Sequence, residues 1–281
     1  MGYRNEKMSA FFEQVMLQIQ NDETLNRATQ DSISRTQFYA ADDYPPIERS
    51  QGRHSEVCVT KSTTFDAARR LHAAYPEKRI AVLNFASAVN PGGGVTFGAT
   101  AQEECLCRCS TLYPTLNQPS NWEQYYNVNR ANDSVLYSDA CIFSPDVIVF
   151  KRDADIPADT PASEWFAVDV ITCAAPKLRR TIFKENAPAI ISPEELYKLH
   201  VKRAQHILTV AAANKADILV LGAFGCGAFA NDPHVVSRAM FDALEGFEDC
   251  FDLVEFAVFC RSYETVNYDV FYEACQNRHT R

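Results

Sequence analysis

The residue types best suited to chemistry lie in one short stretch that ends at Glu104. Three consecutive glycines, residues 92–94, are followed after seven residues by Gln102, Glu103 and Glu104. Consecutive glycines allow positive φ angles and let backbone N–H groups approach a ligand closely. Acidic residues at a helix start can accept hydrogen bonds from polar ligand groups near the positive end of the helix dipole. A loop with donors at one end and carboxylates at the other suits a ligand that has a phosphate part and a sugar part.

A second glycine-containing loop covers residues 222–230, directly after an apolar segment at 217–222 that is typical of a buried strand. Its glycines, Gly222, Gly225 and Gly227, have the spacing G-x-x-G-x-G. The dinucleotide-binding fingerprint is G-x-G-x-x-G, which disfavours a dinucleotide oxidoreductase, and the missing GK[ST] sequence excludes a P-loop. Backbone N–H groups in such a turn, together with the start of the next helix, can bind an anion. A tight turn of small residues that serves packing alone is the alternative interpretation.

Predicted strands and helices alternate from residue 56 onwards. The predicted strands cover residues 57–59, 79–85, 146–150, 165–174, 217–222 and 253–260, and the predicted helices cover residues 63–74, 103–112, 194–214, 235–246 and 265–276. This alternation predicts an α/β sandwich with a largely parallel central sheet. Ligands of such sheets bind beyond the carboxyl ends of strands, where both glycine loops lie, so the two loops can face one ligand. Helices predicted over 6–20 and 22–38 make residues 1–50 a helical extension packed on a main domain of residues 51–281.

The composition restricts the class of partner. The chain has a formal net charge of −9, and its basic residues form scattered pairs rather than a stripe, which disfavours general nucleic-acid binding. If the substrate is a polyanion, we expect the protein to bind a small terminal unit of it. We find no secretory signal and no apolar run of the roughly 18 residues that a membrane span needs. Ten cysteines without a signal fit reduced thiols in the cytoplasm, away from membranes.

Cys105, Cys107 and Cys109 are a possible thiolate cluster. On a helix, Cys105 and Cys109 share one face whereas Cys107 points nearly the opposite way. Buried reduced thiols are therefore the favoured interpretation. The six histidines have no ligand-pair spacing, and we expect neither a metal nor a cofactor.

The first glycine loop and the acidic residues after it resemble the signature of the poly(ADP-ribose) glycohydrolases, in which GGG is followed at this distance by QEE. The residues before it, Asn84-Phe85-Ala86-Ser87-Ala88 and Asn90-Pro91, are similar to those of the bacterial, microbial-type branch. That family has a macrodomain-like fold. The resemblance therefore implies a three-layer macrodomain-like sandwich with a mixed, largely parallel central sheet. It covers most of residues 56–275, and the first 50 residues resemble the family's helical extension only loosely.

Glu103 and Glu104 cannot act as the carboxylate pair of an ordinary glycosidase. Such a pair flanks the scissile bond at least about 5 Å apart, whereas neighbours on a helix diverge by about 100°. One acid/base and one positioning group is the workable arrangement. The resemblance implies that Glu104 is the acid/base and that Glu103 hydrogen-bonds ribose hydroxyls. A helix start lowers a carboxyl pKa, whereas a general acid needs a raised pKa. We therefore expect desolvation and nearby negative charge to raise the pKa of Glu104 when substrate binds.

The resemblance also implies substrate contacts. Gly225, Cys226 and Gly227 are similar to the loop that holds the diphosphate, and Phe229 is similar to the aromatic residue that packs on the terminal ribose. The other candidate substrate-binding residues lie in and before the first loop: Asn84, Asn90, Gly92, Gly93, Gly94 and Gln102. The two asparagines could equally fix turn geometry. Phe259 is a candidate for the adenine slot, with core packing as the alternative.

These features predict a poly(ADP-ribose) glycohydrolase that hydrolyses ribose–ribose O-glycosidic bonds from the chain terminus and releases ADP-ribose. ADP-ribosylated proteins are the expected substrates. One alternative is the same chemistry on single ADP-ribose units attached to protein or nucleic acid. Another is a non-catalytic ADP-ribose-binding module, against which the presence of Glu103 and Glu104 argues.

Overall fold

The strands and helices of the computed structural model lie in residues 5–50, 52–179 and 191–278, which are the residues that it describes. The strands are β1 (Gln37–Tyr39), β2 (Glu56–Thr60), β3 (Ile80–Phe85), β4 (Cys141–Val149), β5 (Lys151–Arg152), β6 (Ala158–Asp159), β7 (Phe166–Cys173), β8 (Ile218–Leu221) and β9 (Leu253–Ala257). The helices are α1 (Glu6–Asn21), α2 (Glu23–Arg35), α3 (Thr64–Ala74), α4 (Gln102–Cys109), α5 (Leu112–Leu116), α6 (Pro119–Asn121), α7 (Asn127–Ala131), α8 (Pro193–Ala213), α9 (Pro233–Leu244) and α10 (Val266–Arg278). There are also 3₁₀ turns at Val95–Phe97 and Ala162–Glu164 and a π-helical turn at Trp122–Tyr126.

Within these residues the main sheet has seven strands, in the order β1-β4-β7-β3-β8-β9-β2. The strands from β7 to β2 are parallel to one another. Strand β4 pairs antiparallel with β7, and β1 pairs antiparallel with β4. The prediction of a mixed, largely parallel central sheet is confirmed.

Successive residues of β3 point into two apolar cores, one on each face of the sheet. Ala81 and Leu83 belong to the core that also contains residues of α8, α9 and α10. Ile80 and Val82 belong to the core that contains residues of α3, α4 and α5. Because strand side chains alternate between faces, an apolar strand of this kind is covered by helices on both sides. The predicted three-layer sandwich is confirmed.

Helices α3 and α4 begin beyond the carboxyl ends of β2 and β3. Thr63 caps α3 by accepting from the Asp66 N–H. Helix α4 has no side-chain cap, but its first turn carries Glu103 and Glu104. The residues that could do chemistry therefore lie in the first turn of the helix that follows the triple glycine.

Two sequence predictions are wrong in detail. The helix predicted over 22–38 ends at Arg35, because Thr36 has extended φ and ψ angles, and the residues after it form β1. The strand predicted at 146–150 is the second half of β4. Pro145 is uncommon within a strand, and Asp146 has a φ of +50° at an irregularity in the pairing with β7. This interruption hides the first half of the strand from a pattern search.

The N-terminal helices pack on the α/β core. Phe12 of α1 joins the core beneath α3 and α4. Val15, Ile19 and Leu25 form a smaller cluster with Phe150, which follows β4. Since β1 belongs to the main sheet, residues 1–50 are in part built into it, and the division of the chain at residue 50 stays a prediction.

Candidate active site

A cavity of about 970 Å³ opens beyond the carboxyl ends of β3, β8 and β9. Its size lies at the upper end of the range for small-molecule sites. Both glycine loops and both glutamates of α4 contribute to its wall, through Gly93, Glu103, Glu104, Gly225 and Gly227. The two loops therefore face one cavity, as the strand order predicts.

Glu103 is 3% exposed and is held by two donors. The Ser87 N–H donates to its Oε2 (2.7 Å), and the Asn84 Nδ2 group donates to its Oε1 (3.2 Å). Burial raises the pKa of Glu103 to about 8, and the neighbouring Glu104 raises it further against the lowering effect of these donors. Desolvation thus outweighs hydrogen bonding, and Glu103 is mostly protonated at neutral pH in the absence of substrate.

Glu104 is 7% exposed, and its two oxygens have different environments. Oε1 accepts a hydrogen bond from the Gly94 N–H (2.8 Å). Oε2 has no hydrogen-bond partner among the described residues, although the side chain lines the cavity. A buried carboxyl oxygen without a partner is costly in a protein interior, and here a substrate can supply the partner. This asymmetry suits a group that exchanges a proton with a bound molecule.

The middle glycine of the three is required by the protein's own carboxylates. Gly93 has a φ of +58°, and a Cβ atom there would lie 2.5 Å from Glu104 Oε1 and 3.0 Å from Glu103 Oε2. The Gly93 N–H donates to Asn90 O (3.0 Å), and the Val95 N–H donates to Gly92 O (3.1 Å). The N–H groups of Gly93 and Gly94 are therefore used within the turn and on Glu104, which differs from the expectation that this loop offers them to a phosphate.

Three polar residues predicted to bind substrate make contacts within the protein. The amide of Gln102 accepts from the Phe85 N–H (2.8 Å) and donates to Leu83 O (2.8 Å) and Thr64 Oγ1 (3.0 Å). It thereby ties the start of α4 to the end of β3. Asn84 is fully buried and donates to Glu103 and to Thr172 Oγ1.

The third of them, Asn90, is exposed, and its Oδ1 accepts from Arg130 Nη2 (2.6 Å). Neither Asn84 nor Asn90 belongs to the cavity wall. Gln102, in contrast, belongs to this wall. We interpret Asn84 and Gln102 as positioning groups for Glu103 and for the start of α4, and direct contact with a substrate stays untested for all three residues.

The second loop has N–H groups with no acceptor in the described part of the chain; they belong to Gly225, Gly227, Ala228 and Phe229. Asn231 fixes the shape of the loop, since its Nδ2 group donates to Gly225 O (3.0 Å) and to Pro176 O (2.7 Å). Its Oδ1 lies 3.0 Å from His200 Nε2. Burial lowers the pKa of His200 to about 4, so this neutral histidine donates to the asparagine. The loop is pre-shaped, with several donors at a cavity, as anion binding requires.

The remaining candidates of the second loop and of β9 have different positions. Phe229 is half-buried and lines the cavity. Phe259 also lines the cavity and is 61% exposed, so the alternative that it packs in the core is wrong. The side chain of Cys226 is not part of the cavity wall, and burial raises its pKa well above the usual range.

Several charged residues in the cavity wall were not among the predicted site residues, and Arg108 and Asp153 are two of them. Arg108 is 1% exposed, and its Nη1 donates to Ala99 O (2.6 Å). It lies one helical turn after Glu104, so the helical period could have indicated it. Asp153 lines the same cavity, and burial raises its pKa to about 6. No sequence pattern marks Asp153.

Residues 5–50, 52–179 and 191–278 contain no candidate metal site and no candidate membrane-spanning helix. These ranges contain no group of three or more potential ligands placed to hold a metal ion. All ten cysteines are free thiols. None of the described helices has the length and apolar character that crossing a membrane takes.

The arrangement has close counterparts among solved structures. The poly(ADP-ribose) glycohydrolase from Thermomonospora curvata has a TM-score of 0.81 and 29% sequence identity, over 96% of this chain and 100% of that one. The same enzyme bound to the inhibitor ADP-HPD has a TM-score of 0.79 and 28% identity, over 96% and 99%. The glycohydrolase from Deinococcus radiodurans in complex with ADP-ribose has a TM-score of 0.76 and 35% identity, over 89% and 97%.

One of two sequence comparisons identifies the same family. A search of curated protein sequences gave no match. The family model of the microbial-type PARG catalytic domain matches residues 7–152, which include the triple glycine and both glutamates. With this match over more than half of the chain, and with 35% identity to the Deinococcus enzyme, the chain belongs to the microbial-type poly(ADP-ribose) glycohydrolase family.

Proposed function

We propose that this protein hydrolyses the ribose–ribose O-glycosidic bonds of poly(ADP-ribose) from the chain terminus and releases ADP-ribose, with Glu104 as the acid/base. The observation that carries the assignment is the placement of Glu104. Its Oε1 is fixed by the Gly94 N–H, its buried Oε2 has no partner among the described residues, and the side chain lines the cavity. Membership of the glycohydrolase family supports the same reaction.

The backbone N–H groups of the second loop are candidate hydrogen-bond donors to the diphosphate of the substrate. The N–H groups of Gly225, Gly227 and Phe229 lie at the cavity wall and have no acceptor in the described part of the chain. Phe229 would then pack on the terminal ribose, and Phe259 would offer its exposed ring to adenine. The glycohydrolase from Deinococcus radiodurans was solved with ADP-ribose bound, which is consistent with a ligand of this size.

Glu104 can perform both halves of the hydrolysis. It donates a proton to the leaving oxygen as the bond from that oxygen to the anomeric carbon breaks. A water molecule then attacks the anomeric carbon and gives a proton to the Glu104 carboxylate, which restores the acid. The sum is one water added across one glycosidic bond, and the positive charge that develops on the ribose is stabilised by the nearby diphosphate and carboxylate.

Glu103 serves the same reaction by holding the sugar. With a pKa of about 8 it is mostly neutral at neutral pH, so it can donate to a ribose hydroxyl as well as accept from one. A neutral Glu103 also avoids two negative charges side by side next to an anionic substrate. The Ser87 N–H and the Asn84 side-chain amide both donate to Glu103 and keep it in place when no substrate is bound.

The cellular setting follows from the same reasoning. ADP-ribosylated proteins that carry the polymer are the natural substrates of such an enzyme. The net charge of −9 disfavours general nucleic-acid binding. Ten free thiols fit a reducing compartment, and we place the protein in the cytoplasm on this ground.

The deciding experiment compares Glu104→Gln with wild type in time-resolved release of ADP-ribose from polymer. We expect kcat to fall by about 10³-fold, within the range for loss of a general acid/base, with ADP-ribose affinity changed less than about threefold. Glu123→Gln, an exposed glutamate outside the cavity wall, is the matched control and should keep wild-type kcat.

Unchanged turnover in Glu104→Gln would remove the assignment of the acid/base. Wild-type protein that binds ADP-ribose without releasing it from any substrate would favour the non-catalytic binding module. Faster release from mono-ADP-ribosylated protein or nucleic acid than from polymer would favour the mono-ADP-ribosyl hydrolase.

A further inference from the structure

The start of α1 lies against the 3₁₀ turn that follows the triple glycine. The Asn5 N–H donates to Phe97 O (3.1 Å), and the Ser9 hydroxyl donates to Thr96 O (2.7 Å). Ser9 is 1% exposed, so the donor side of this hydrogen bond is buried, whereas Thr96 is exposed. We call these two hydrogen bonds the α1 clamp. They join the N-terminal extension directly to the loop that carries the active-site glycines.

A glycine makes this contact possible. Gly98 ends the 3₁₀ turn with a φ of +79°. A Cβ atom at this position would lie 2.3 Å from Asn5 O, closer than any real contact of that kind. The clamp therefore depends on both sides of the contact, a buried serine on the helix and a residue without a side chain on the turn.

The clamped turn is tied to Gly94, the residue whose N–H holds Glu104. The N–H groups of Phe97 and Ala99 both donate to Gly94 O, at 2.9 and 3.1 Å. The Gly94 N–H in turn donates to Glu104 Oε1 (2.8 Å). Arg108 holds Ala99 from the other side, so the Gly94 segment is fixed at both ends. A displacement of the turn must change the direction of the donor that orients Glu104.

Helix α1 also reaches the cavity itself. Met8 lies in its first turns, is 6% exposed and belongs to the cavity wall. The helix is therefore part of the site's surroundings, and its position is coupled to the site both by the wall and by the clamp.

We propose that the α1 clamp positions the Glu104 carboxylate, with Ser9 as the positioning residue, so that the N-terminal helix is a working part of the active site. The proposal rests on the proposed function in that Glu104 must be the acid/base. It assigns to the extension an effect on kcat, whereas a purely structural extension would affect stability alone.

The clamp should act on the chemical step and leave binding nearly unchanged. Without the Ser9 hydroxyl, Thr96 O loses a buried donor and the turn gains freedom to shift. We expect kcat to fall by roughly tenfold, since a misplaced catalytic group can cost up to about 10²-fold. ADP-ribose affinity and KM should stay within about twofold, because no backbone hydrogen bond joins the second loop to the clamp residues in the described part of the chain.

The experiment measures kcat, KM, ADP-ribose affinity and thermal unfolding for Ser9→Ala, Ser9→Thr and Ser32→Ala. Ser32 is the matched control, because it is also fully buried and its hydroxyl donates to a distant backbone carbonyl, Pro145 O. That contact joins α2 to β4, away from the cavity wall. Ser9→Thr keeps a hydroxyl donor and should recover most of the lost kcat.

The expected result is a fall in kcat in Ser9→Ala alone, although both alanine variants lower the unfolding temperature. An equal kcat in Ser9→Ala and Ser32→Ala would overturn the clamp, as would a loss in Ser9→Ala that appears only in KM. These outcomes are separate from the fate of the proposed function. If Glu104→Gln is inactive while Ser9→Ala has wild-type kcat, the clamp alone is wrong, and if Glu104→Gln is active, the acid/base assignment is wrong as well.

Discussion

The two glycine loops have similar composition and opposite orientation of their donors. In the first loop the N–H groups of Gly93 and Gly94 point into the protein, to Asn90 O and to Glu104 Oε1. In the second loop the N–H groups of Gly225 and Gly227 have no acceptor in the described part of the chain and lie at the cavity wall. The first loop therefore shapes the carboxylate that we propose as the acid/base, and the second loop has donors left for the ligand that we propose.

The reason for glycine differs between Gly93 and Gly227, although Gly225 is required by packing, since a Cβ atom there would lie 2.5 Å from Ala175 Cβ. In the first loop a side chain at Gly93 would meet the protein's own carboxylate, 2.5 Å away. In the second loop a side chain at Gly227 would meet no protein atom within 4 Å. A glycine that the protein's packing does not require is explained if a ligand must approach its backbone closely. We therefore expect changes in the first loop to lower kcat and changes in the second loop to lower the affinity for ADP-ribose.

The largest effect is expected for Gly93→Ala. The new Cβ would press on Glu104 Oε1, and alanine at a φ of +58° adds strain on the order of 1 kcal/mol. We expect kcat to fall by about 10²-fold, with ADP-ribose affinity changed less than about threefold. Steady-state release of ADP-ribose and calorimetric binding measure the two quantities.

Gly246→Ala is the control for this change. Gly246 has open space around it and no positive φ, and it lies outside the cavity wall. A Gly93→Ala protein that loses affinity and keeps kcat would reverse the roles of the two loops.

A smaller effect of the opposite kind is expected for Gly227→Ala. Because no protein atom opposes the added methyl group, folding and unfolding temperature should be unchanged. If the diphosphate contacts this backbone, the methyl group blocks its approach, and we expect ADP-ribose affinity to fall by roughly tenfold. Calorimetric titration with ADP-ribose and with AMP locates the loss, since AMP lacks the diphosphate. Wild-type affinity for ADP-ribose would place the diphosphate elsewhere.

The division of labour between the loops could not be predicted from the sequence. Two glycine-containing turns at strand ends look alike in composition, and both predict donors for a phosphate. The difference depends on where the Glu104 side chain turns back, which is decided by its rotamer and by packing. The alternation of strands and helices, in contrast, was predictable, because apolar strands such as β8, whose residues are all buried, alternate with helices of regular period.

Other features were hidden by local exceptions to the patterns. The first half of β4 is interrupted by Pro145 and by the positive φ of Asp146. Asp153 enters the cavity wall from a loop with no periodic signal. The exposure of Phe259 could not be deduced either, since an aromatic residue after a buried strand more often belongs to a core. Sequence patterns predict elements and signatures, while loop positions need coordinates.

The smallest effect tests the buried cage that the first loop and Asn84 form around Glu103. The pKa of Glu103 is raised from 4.5 to about 8, so between these values the folded protein keeps a proton that the unfolded chain releases. The free energy of unfolding must therefore fall as pH rises through this window. At pH values above the window, this group causes no further loss. Glutamine cannot ionise, so Glu103→Gln lacks this loss. Between pH 6 and pH 8 we expect wild type to lose roughly 2 kcal/mol more than the variant. Urea unfolding of both proteins at both pH values gives this double difference, in which the pH-independent cost of the substitution and the titration of all other groups cancel. Equal losses in the two proteins would show that Glu103 is already ionised in the free enzyme, and its part in holding ribose would then be that of an acceptor only.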